Sequence, residues 1–278
     1  KLLNPIASQL SVMRSSLIGS LVQVLKFNVD RKAPRVRVFE LGRVFFKDAS
    51  VVESDTTVKG FYQPMRVAGL AYGAASQQQW GVADVKVDFY DIKGDVEALL
   101  APLTPVFEAA EHPAMHPGRC ARVVVNGKAI GFVGELHPKW RQSWDLAQAP
   151  VLFELELDAV LAREVPVFQA VSKHQAVERD VAVVVKESVT HAQVMAAVAA
   201  GVPNGILRNA VLFDVFRPKK LKAGEVAAPG SLAQDEKSLA VRLTLGSEEA
   251  SLTDVQIDAA MQGAITALQT QLEARLRG

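Results

Sequence analysis

The stretch that most constrains this chain is residues 168–186, FQAVSKHQAVERDVAVVVK, where a charged run from Glu178 to Asp180 leads into the apolar run Val181 to Val185. Such a run reads as a strand buried on at least one face. Upstream, an alternating segment over residues 151–157 and a short helical stretch after it close at Pro166. Downstream come a helix, two strands and a long final helix, the element order of a small α+β sandwich. A new unit therefore starts here, and Val165-Pro166-Val167 is the expected boundary between a domain of residues 1–166 and one of residues 167–278. A length of 278 residues suits two ordinary domains.

Both helix starts of the second domain are written locally. Thr190-His191-Ala192-Gln193 and Thr253-Asp254-Val255-Gln256 are capping boxes, in which the threonine hydroxyl accepts from the amide three residues on and the glutamine reaches back. The first helix runs through Val194 and Val198 to Gly201, which reads as its stop. The second carries a stripe of Ile257, Met261, Ile265, Leu268 and Leu272. Residues 209–217 and 237–245 read as strands, and alternation in the latter buries Leu239, Val241, Leu243 and Leu245 while leaving Ser238, Ala240, Arg242 and Thr244 on the other face. The order β-α-β-β-α, with room for a last short strand, is that of a ferredoxin-like α/β sandwich with helices on one sheet face and the other face open. Open faces of this kind bind single-stranded RNA through basic and aromatic side chains. The candidates are Phe216, Arg217, Lys237 and Arg242, with Lys173 and Arg179 at the entry to the first strand. Taken singly, each also fits a solvated strand end.

In the first domain, Leu10, Met13, Leu17, Leu21 and Leu25 recur at helical spacing after the Asn4-Pro5 turn, predicting an amphipathic helix that ends near Asn28. A strand follows over residues 36–41, interrupted by Gly42, which marks a bulge or a close backbone approach. The next strand is read over residues 65–72. Phe89, Ile92, Val96 and Leu99 share one helical face, and Asp88, Asp91 and Asp95 are read as a solvated acidic start to that helix rather than a metal or acid–base site. His112, His116 and Cys120 crowd together, yet both histidines precede proline and no second cysteine completes a tetrahedral set, so zinc is disfavoured. Asn126-Gly127 between two β-rich runs signals a hairpin. Gly131 and Gly134 form a GxxG pair inside a strand, an unsuitable place for a nucleic-acid-binding loop. The resulting picture is a largely antiparallel sheet flanked by helices, with no Ser-His-Asp order, phosphate loop or dinucleotide fingerprint.

Composition adds exclusions. Hydrophobic residues make up 49% and charged residues 22%, which argues against disorder. The formal net charge of +1 means that any nucleic-acid partner must be met by a local patch. A single cysteine forbids an internal disulfide framework and suits a reducing cytoplasm. No apolar run is long enough to span a bilayer, and the start carries no signal-peptide pattern. Beginning at Lys1 and entering structure almost at once, the chain is expected to be a piece of a longer polypeptide.

Several blocks occur in a familiar order: Asn4-Pro5-Ile6, Val12-Met13-Arg14-Ser15-Ser16-Leu17, Phe39-Glu40-Leu41-Gly42-Arg43-Val44-Phe45, residues 88–97, His116-Pro117-Gly118-Arg119 and residues 131–138. In the second domain Glu178-Arg179-Asp180, Leu212-Phe213-Asp214-Val215-Phe216, Lys237-Ser238-Leu239-Ala240 and Ser251-Leu252-Thr253-Asp254 continue the series. Together they resemble the C-terminal region of the β subunit of bacterial phenylalanyl-tRNA synthetase. The resemblance implies an α+β chain: a class II synthetase-like antiparallel sheet domain, catalytic-like but inactive, followed by a ferredoxin-fold anticodon-binding domain. It implies an α subunit as partner in an α2β2 heterotetramer, phenylalanine tRNA as ligand, a cytoplasmic setting, and ATP and magnesium used by the whole enzyme but by no residue of this chain. By itself the chain is expected neither to aminoacylate nor to edit. Lys219 and Lys220, in the basic loop over residues 217–236, join the tRNA-binding candidates. Departures from the family pattern fall at His174-Gln175-Ala176, at Ala250-Ser251 and in that loop. The runner-up reading is a purely structural assembly module with little tRNA contact.

Overall fold

In a computed structural model of the chain, the described residues are 4–7, 11–162, 165, 167–168, 172–218 and 232–277. They fall into two compact units, Lys1–Pro166 and Val167–Gly278.

The first unit runs α1 (Ile18–Asp30), β1 (Val36–Arg43), β2 (Phe46–Lys47), β3 (Phe61–Tyr62), β4 (Met65–Tyr72), α2 (Phe89–Leu100), β5 (Val106–Ala109), β6 (Met115–Val125), β7 (Lys128–Leu136), α3 (Pro138–Ser143), β8 (Val151–Glu156) and α4 (Leu157–Leu161). Six of the strands form one antiparallel sheet in the order β1-β4-β8-β7-β6-β5, while β2 and β3 pair separately. Alternation divides its side chains between two cores. Val36, Ala68, Leu70, Leu136 and Leu152 pack with Leu17, Leu21 and Leu25 of the α1 region. Val67, Val123, Val133, Phe153 and Leu155 pack with Ile92, Val96 and Leu100 of α2.

Helix α1 begins later than the spacing of Leu10, Met13 and Leu17 predicts; residues 8–10 lie outside the described residues, and 11–16 are not helical. The reason is a distant carboxylate. Glu154, on β8, accepts from Ser16 Oγ and from the Leu17 amide at 2.7 Å each, satisfying an orphan donor at the helix start. Arg14 lies beside β1, donating to the Arg43 carbonyl at 3.1 Å and to Ser20 Oγ at 3.2 Å and pairing with Glu40. A Cβ at position 42 would meet Arg14 Nη2 at 2.1 Å, so Gly42 is the close approach that its place in a strand suggested.

The acidic start of α2 is a capping box, with Asp88 accepting from the Tyr90 and Asp91 amides and Asp91 accepting from the Asp88 amide. Asp95 pairs with Arg37. Asn126 and Gly127 take φ of 50° and 75° and close the β6–β7 hairpin. Gly131 and Gly134 lie inside β7, where a Cβ would fall 2.0 Å from the Glu154 carbonyl and 2.7 Å from the Arg119 carbonyl. The glycines serve strand packing there.

The second unit runs β9 (Val177–Lys186), α5 (His191–Gly201), β10 (Leu207–Phe216), β11 (Glu236–Leu245), α6 (Asp254–Leu272) and β12 (Arg275–Leu276). Its sheet is antiparallel in the order β10-β11-β9-β12, which is the ferredoxin-like arrangement with the last short strand in place. Both capping boxes form, at Thr190 with Gln193 and at Thr253 with Gln256. Val181, Val183, Val185, Leu239, Val241, Leu243 and Leu245 make one core with Val194, Ala197 and Val198 of α5 and Ile257, Ala260, Ala264 and Leu268 of α6. Gly201 is the last residue of α5 rather than a left-handed stop beyond it. A Cβ there would lie 2.4 Å from the Gly263 carbonyl oxygen, and one at Gly263 would lie 2.2 Å from the Gly201 carbonyl, so this pair lets the helices touch backbone to backbone. Among the described residues, no helix is long and apolar enough to cross a membrane.

Candidate nucleic-acid interface

Register decides which side chains occupy the sheet face away from α5 and α6, because directly paired residues share a face. Arg242 pairs with Asp180 on one side and Val211 on the other, Ala240 with Ala182 and Asp214, and Ser238 with Val184 and Phe216. The middle of this face carries two alanines beside the exposed Asp214. Two arginine–phenylalanine pairs lie over it.

In the first pair, the Arg242 guanidinium sits 5.2 Å from the Phe213 ring centroid, within cation–π range. Its Nε and Nη2 donate to the two Asp180 carboxylate oxygens at 2.8 and 2.9 Å, and Nη1 lies 3.6 Å from Glu178. These hydrogen bonds hold the Asp180 carboxyl below the usual carboxylate range and raise the already basic Arg242 further. Phe213 stands at a register shift between Leu212 and Asp214, and such a bulge re-aims a side chain. In the second pair, Arg277 lies 5.0 Å from the Phe216 centroid. Its Nη1 donates to Ser238 Oγ at 3.3 Å, and its backbone amide donates to the Ala182 carbonyl at 2.9 Å. Ser238 and Val184 are consequently buried although they belong to the open side.

Of the residues expected to meet RNA, Phe216 and Arg242 share this face. Arg217, just past β10, donates from Nε to Glu187 at 3.0 Å, and that bond lowers the Glu187 carboxyl. Lys173 is exposed in the segment before β9. Two of the candidates lie on the other side of the sheet. Lys237 pairs with Val185, so it belongs to the helix-facing side; it is 8% exposed and donates from Nζ to the Glu187 carbonyl at 2.8 Å. Arg179 pairs with Leu243, again on that side, with its exposed guanidinium donating to the Glu178 carbonyl at 2.9 Å. Parity is the physical reason: side chains alternate, so residues 237 and 242 cannot face the same way in one regular strand. Lys219 and Lys220 lie outside the described residues. Phe213, Asp180 and Arg277, which join Arg242 and Phe216 here, were not among the sequence candidates. Asp180 could have been found from its pairing with Arg242, but the bulge that turns Phe213 left no local signal.

The first unit holds concave sites of another kind. A pocket of about 490 Å³ beside α1 is lined by Ser16, Val22, His112, Trp140 and Trp144 among others, and three of its polar side chains are engaged within the fold. The His112 Nδ1 accepts from the Ala114 amide at 3.2 Å, Trp140 donates to the Pro113 carbonyl at 3.1 Å, and Ser16 donates to Glu154. Burial pushes the His112 pKa down, opposed by the Glu154 charge, and pushes the Cys120 thiol up. His116 Nδ1 accepts from the Gly118 amide at 3.0 Å and shapes that turn. A second pocket, of about 580 Å³, runs past Tyr90, Cys120 and the Arg119–Glu135 pair, whose two bonds are 2.9 Å each. Among the described residues, no three His, Cys, Asp or Glu side chains group so as to hold a metal ion.

An antiparallel sheet domain followed by a ferredoxin-fold anticodon-binding domain marks a component of an aminoacyl-tRNA synthetase, and the sequence comparisons agree. Residues 1–157 match the phenylalanyl tRNA synthetase beta chain CLM domain, and residues 172–277 match the ferredoxin-fold anticodon binding domain. The chain belongs to the phenylalanyl-tRNA synthetase beta chain family. It is 49% identical to the phenylalanine–tRNA ligase beta subunit of Cupriavidus pinatubonensis, over 100% of this chain and 34% of that protein. It is 50% identical to that of Ralstonia nicotianae, over 99% of this chain and 34% of that one. The chain thus spans about a third of the length of these relatives.

Proposed function

We propose that this chain works within phenylalanine–tRNA ligase, where its first unit supports assembly with the α subunit in an α2β2 heterotetramer and its second unit binds the anticodon region of phenylalanine tRNA. ATP and magnesium belong to the α-subunit site in this reading, the setting is the cytoplasm, and the first unit is a catalytic-like domain that performs no chemistry. The observation that carries the reading is the open face of the second sheet, with Phe213 and Phe216 53% and 45% exposed and each met by an arginine. Assembly is supported by apolar side chains on the first unit: Phe27 on α1 is 56% exposed, and Phe39 and Leu41, on the edge strand β1, are 75% and 53% exposed.

Direct titration of the chain with phenylalanine tRNA at physiological salt, against the same tRNA carrying another anticodon, tests the tRNA half. A preference for the native anticodon is expected, together with no ATP–pyrophosphate exchange by the chain alone. Equal or absent binding would favour the purely structural assembly module. One observation leans that way, since Arg242 and Arg217 are already engaged by carboxylates.

A further inference from the structure

We propose that Arg242 serves the bound RNA as a stacking platform for a base rather than as a phosphate contact, and that Asp180 is the residue that positions it. The inference rests on the reading that this sheet face receives the anticodon loop. It concerns how one side chain acts there.

A guanidinium has its N–H donors in one plane and a π face on either side. One edge of the Arg242 guanidinium is engaged: Nε and Nη2 bond both oxygens of Asp180 at 2.8 and 2.9 Å, and Nη1 lies 3.6 Å from the Glu178 carboxylate. A phosphate seeking the bidentate edge would have to displace the Asp180 carboxylate, and one at Nη1 would sit beside the Glu178 and Asp180 anions. The energetics oppose it. The guanidinium carbon lies over the Phe213 ring, 5.2 Å from its centroid, and the side chain remains 46% exposed on a face that neither α5 nor α6 covers. A base laid on the outer side would complete a stack of base, guanidinium and phenyl ring. The bidentate bonds to Asp180 fix the guanidinium, and the two carboxylates offset its charge, which a mobile lysine ammonium cannot imitate. Arg277 over Phe216 repeats the motif, and Phe213 and Phe216 are three residues apart on β10, roughly 10 Å along an extended strand.

The experiment uses the whole chain and a fluorescent anticodon stem-loop of phenylalanine tRNA, titrated over a salt series with wild type, Arg242→Lys, Arg242→Gln and Asp180→Asn. Three further stem-loops each lack one anticodon base. Arg242→Lys is expected to weaken binding about tenfold without changing the slope of log affinity against log salt. With the stem-loop lacking the stacked base, that loss should disappear. Asp180→Asn releases the guanidinium and should steepen the slope by about 0.7 to 1. Thermal unfolding of each variant checks that the second unit stays folded. The platform is overturned if Arg242→Lys binds like wild type while Arg242→Gln loses about one unit of slope, the pattern of a phosphate contact. In that outcome the tRNA-binding reading stands. If wild type shows no preference for the intact anticodon loop, both fall.

Discussion

The two sheets of this molecule are built alike in strand sense and differ in what covers them. The six-stranded sheet has α1 on one face and α2 on the other. The four-stranded sheet has both α5 and α6 on a single face. Covering both faces favours long apolar runs on the inner strands: on β4 every residue from Val67 to Tyr72 is buried. Charged groups near such a sheet are drawn into holding the fold, as Glu154 is drawn into capping α1. Covering one face leaves the other free to carry side chains that satisfy one another while remaining reachable, as Arg242 and Asp180 do. A two-faced sheet suits a scaffold, and a one-faced sheet suits a docking surface.

The contrast breaks most readily where α5 and α6 meet. Gly263→Ala would place a methyl 2.2 Å from the Gly201 carbonyl, and backbone cannot retreat there as a flexible side chain could. A loss of about 3 kcal/mol is expected from such overpacking, confined to the second unit. Calorimetry or hydrogen exchange should show that unit destabilised and the first unchanged. A uniform loss in both would mean that the units do not unfold independently.

Next in size is the cap on α1. Glu154→Ala leaves the Leu17 amide and the Ser16 hydroxyl without their carboxylate, and a loss of about 1 to 2 kcal/mol is expected. Here the first unit alone should respond, which mirrors the Gly263 result. An unchanged unfolding midpoint for that unit would mean that water replaces the carboxylate at no cost and that the helix start is set by packing alone.

How much of this was legible in the sequence follows from the range of each interaction. The boxes at Thr190 and Thr253 close within three residues, so the sequence around each contains both partners. The alternation of Leu239, Val241, Leu243 and Leu245 is equally local, and all four are buried. The Glu154 cap joins residues 138 positions apart, and periodicity through Leu10 and Met13 extended the helix past its true start. Gly201 could be recognised as special, but the neighbour that requires it lies on another helix. The RNA-binding candidates fared unevenly for the same reason. Arg242 and Phe216 were legible from parity and composition, whereas Phe213 depends on a bulge in β10 and Arg277 on the pairing of a two-residue strand.

The smallest effect sharpens the comparison most, because it is a predicted null on a residue that composition alone nominates. Lys237 is basic, sits at the start of β11 and precedes Ser238 of the open face, yet its register with Val185 turns it to the helix-covered side. Its ammonium donates to the Glu187 carbonyl and is 3.9 Å from the Glu187 carboxylate, with the stem buried. Lys237→Met keeps the unbranched apolar stem and removes the charge. Affinity for the anticodon stem-loop and its salt slope should both stay at the wild-type value. A phosphate contact would instead lose about one unit of slope. If that loss were seen, RNA would be reaching around the sheet edge near Glu187 and Arg217, and the division between a covered face and a docking face would fail at that end of β11. If the slope holds, parity within the strand, rather than positive charge near it, decides which residues of the second unit can meet RNA.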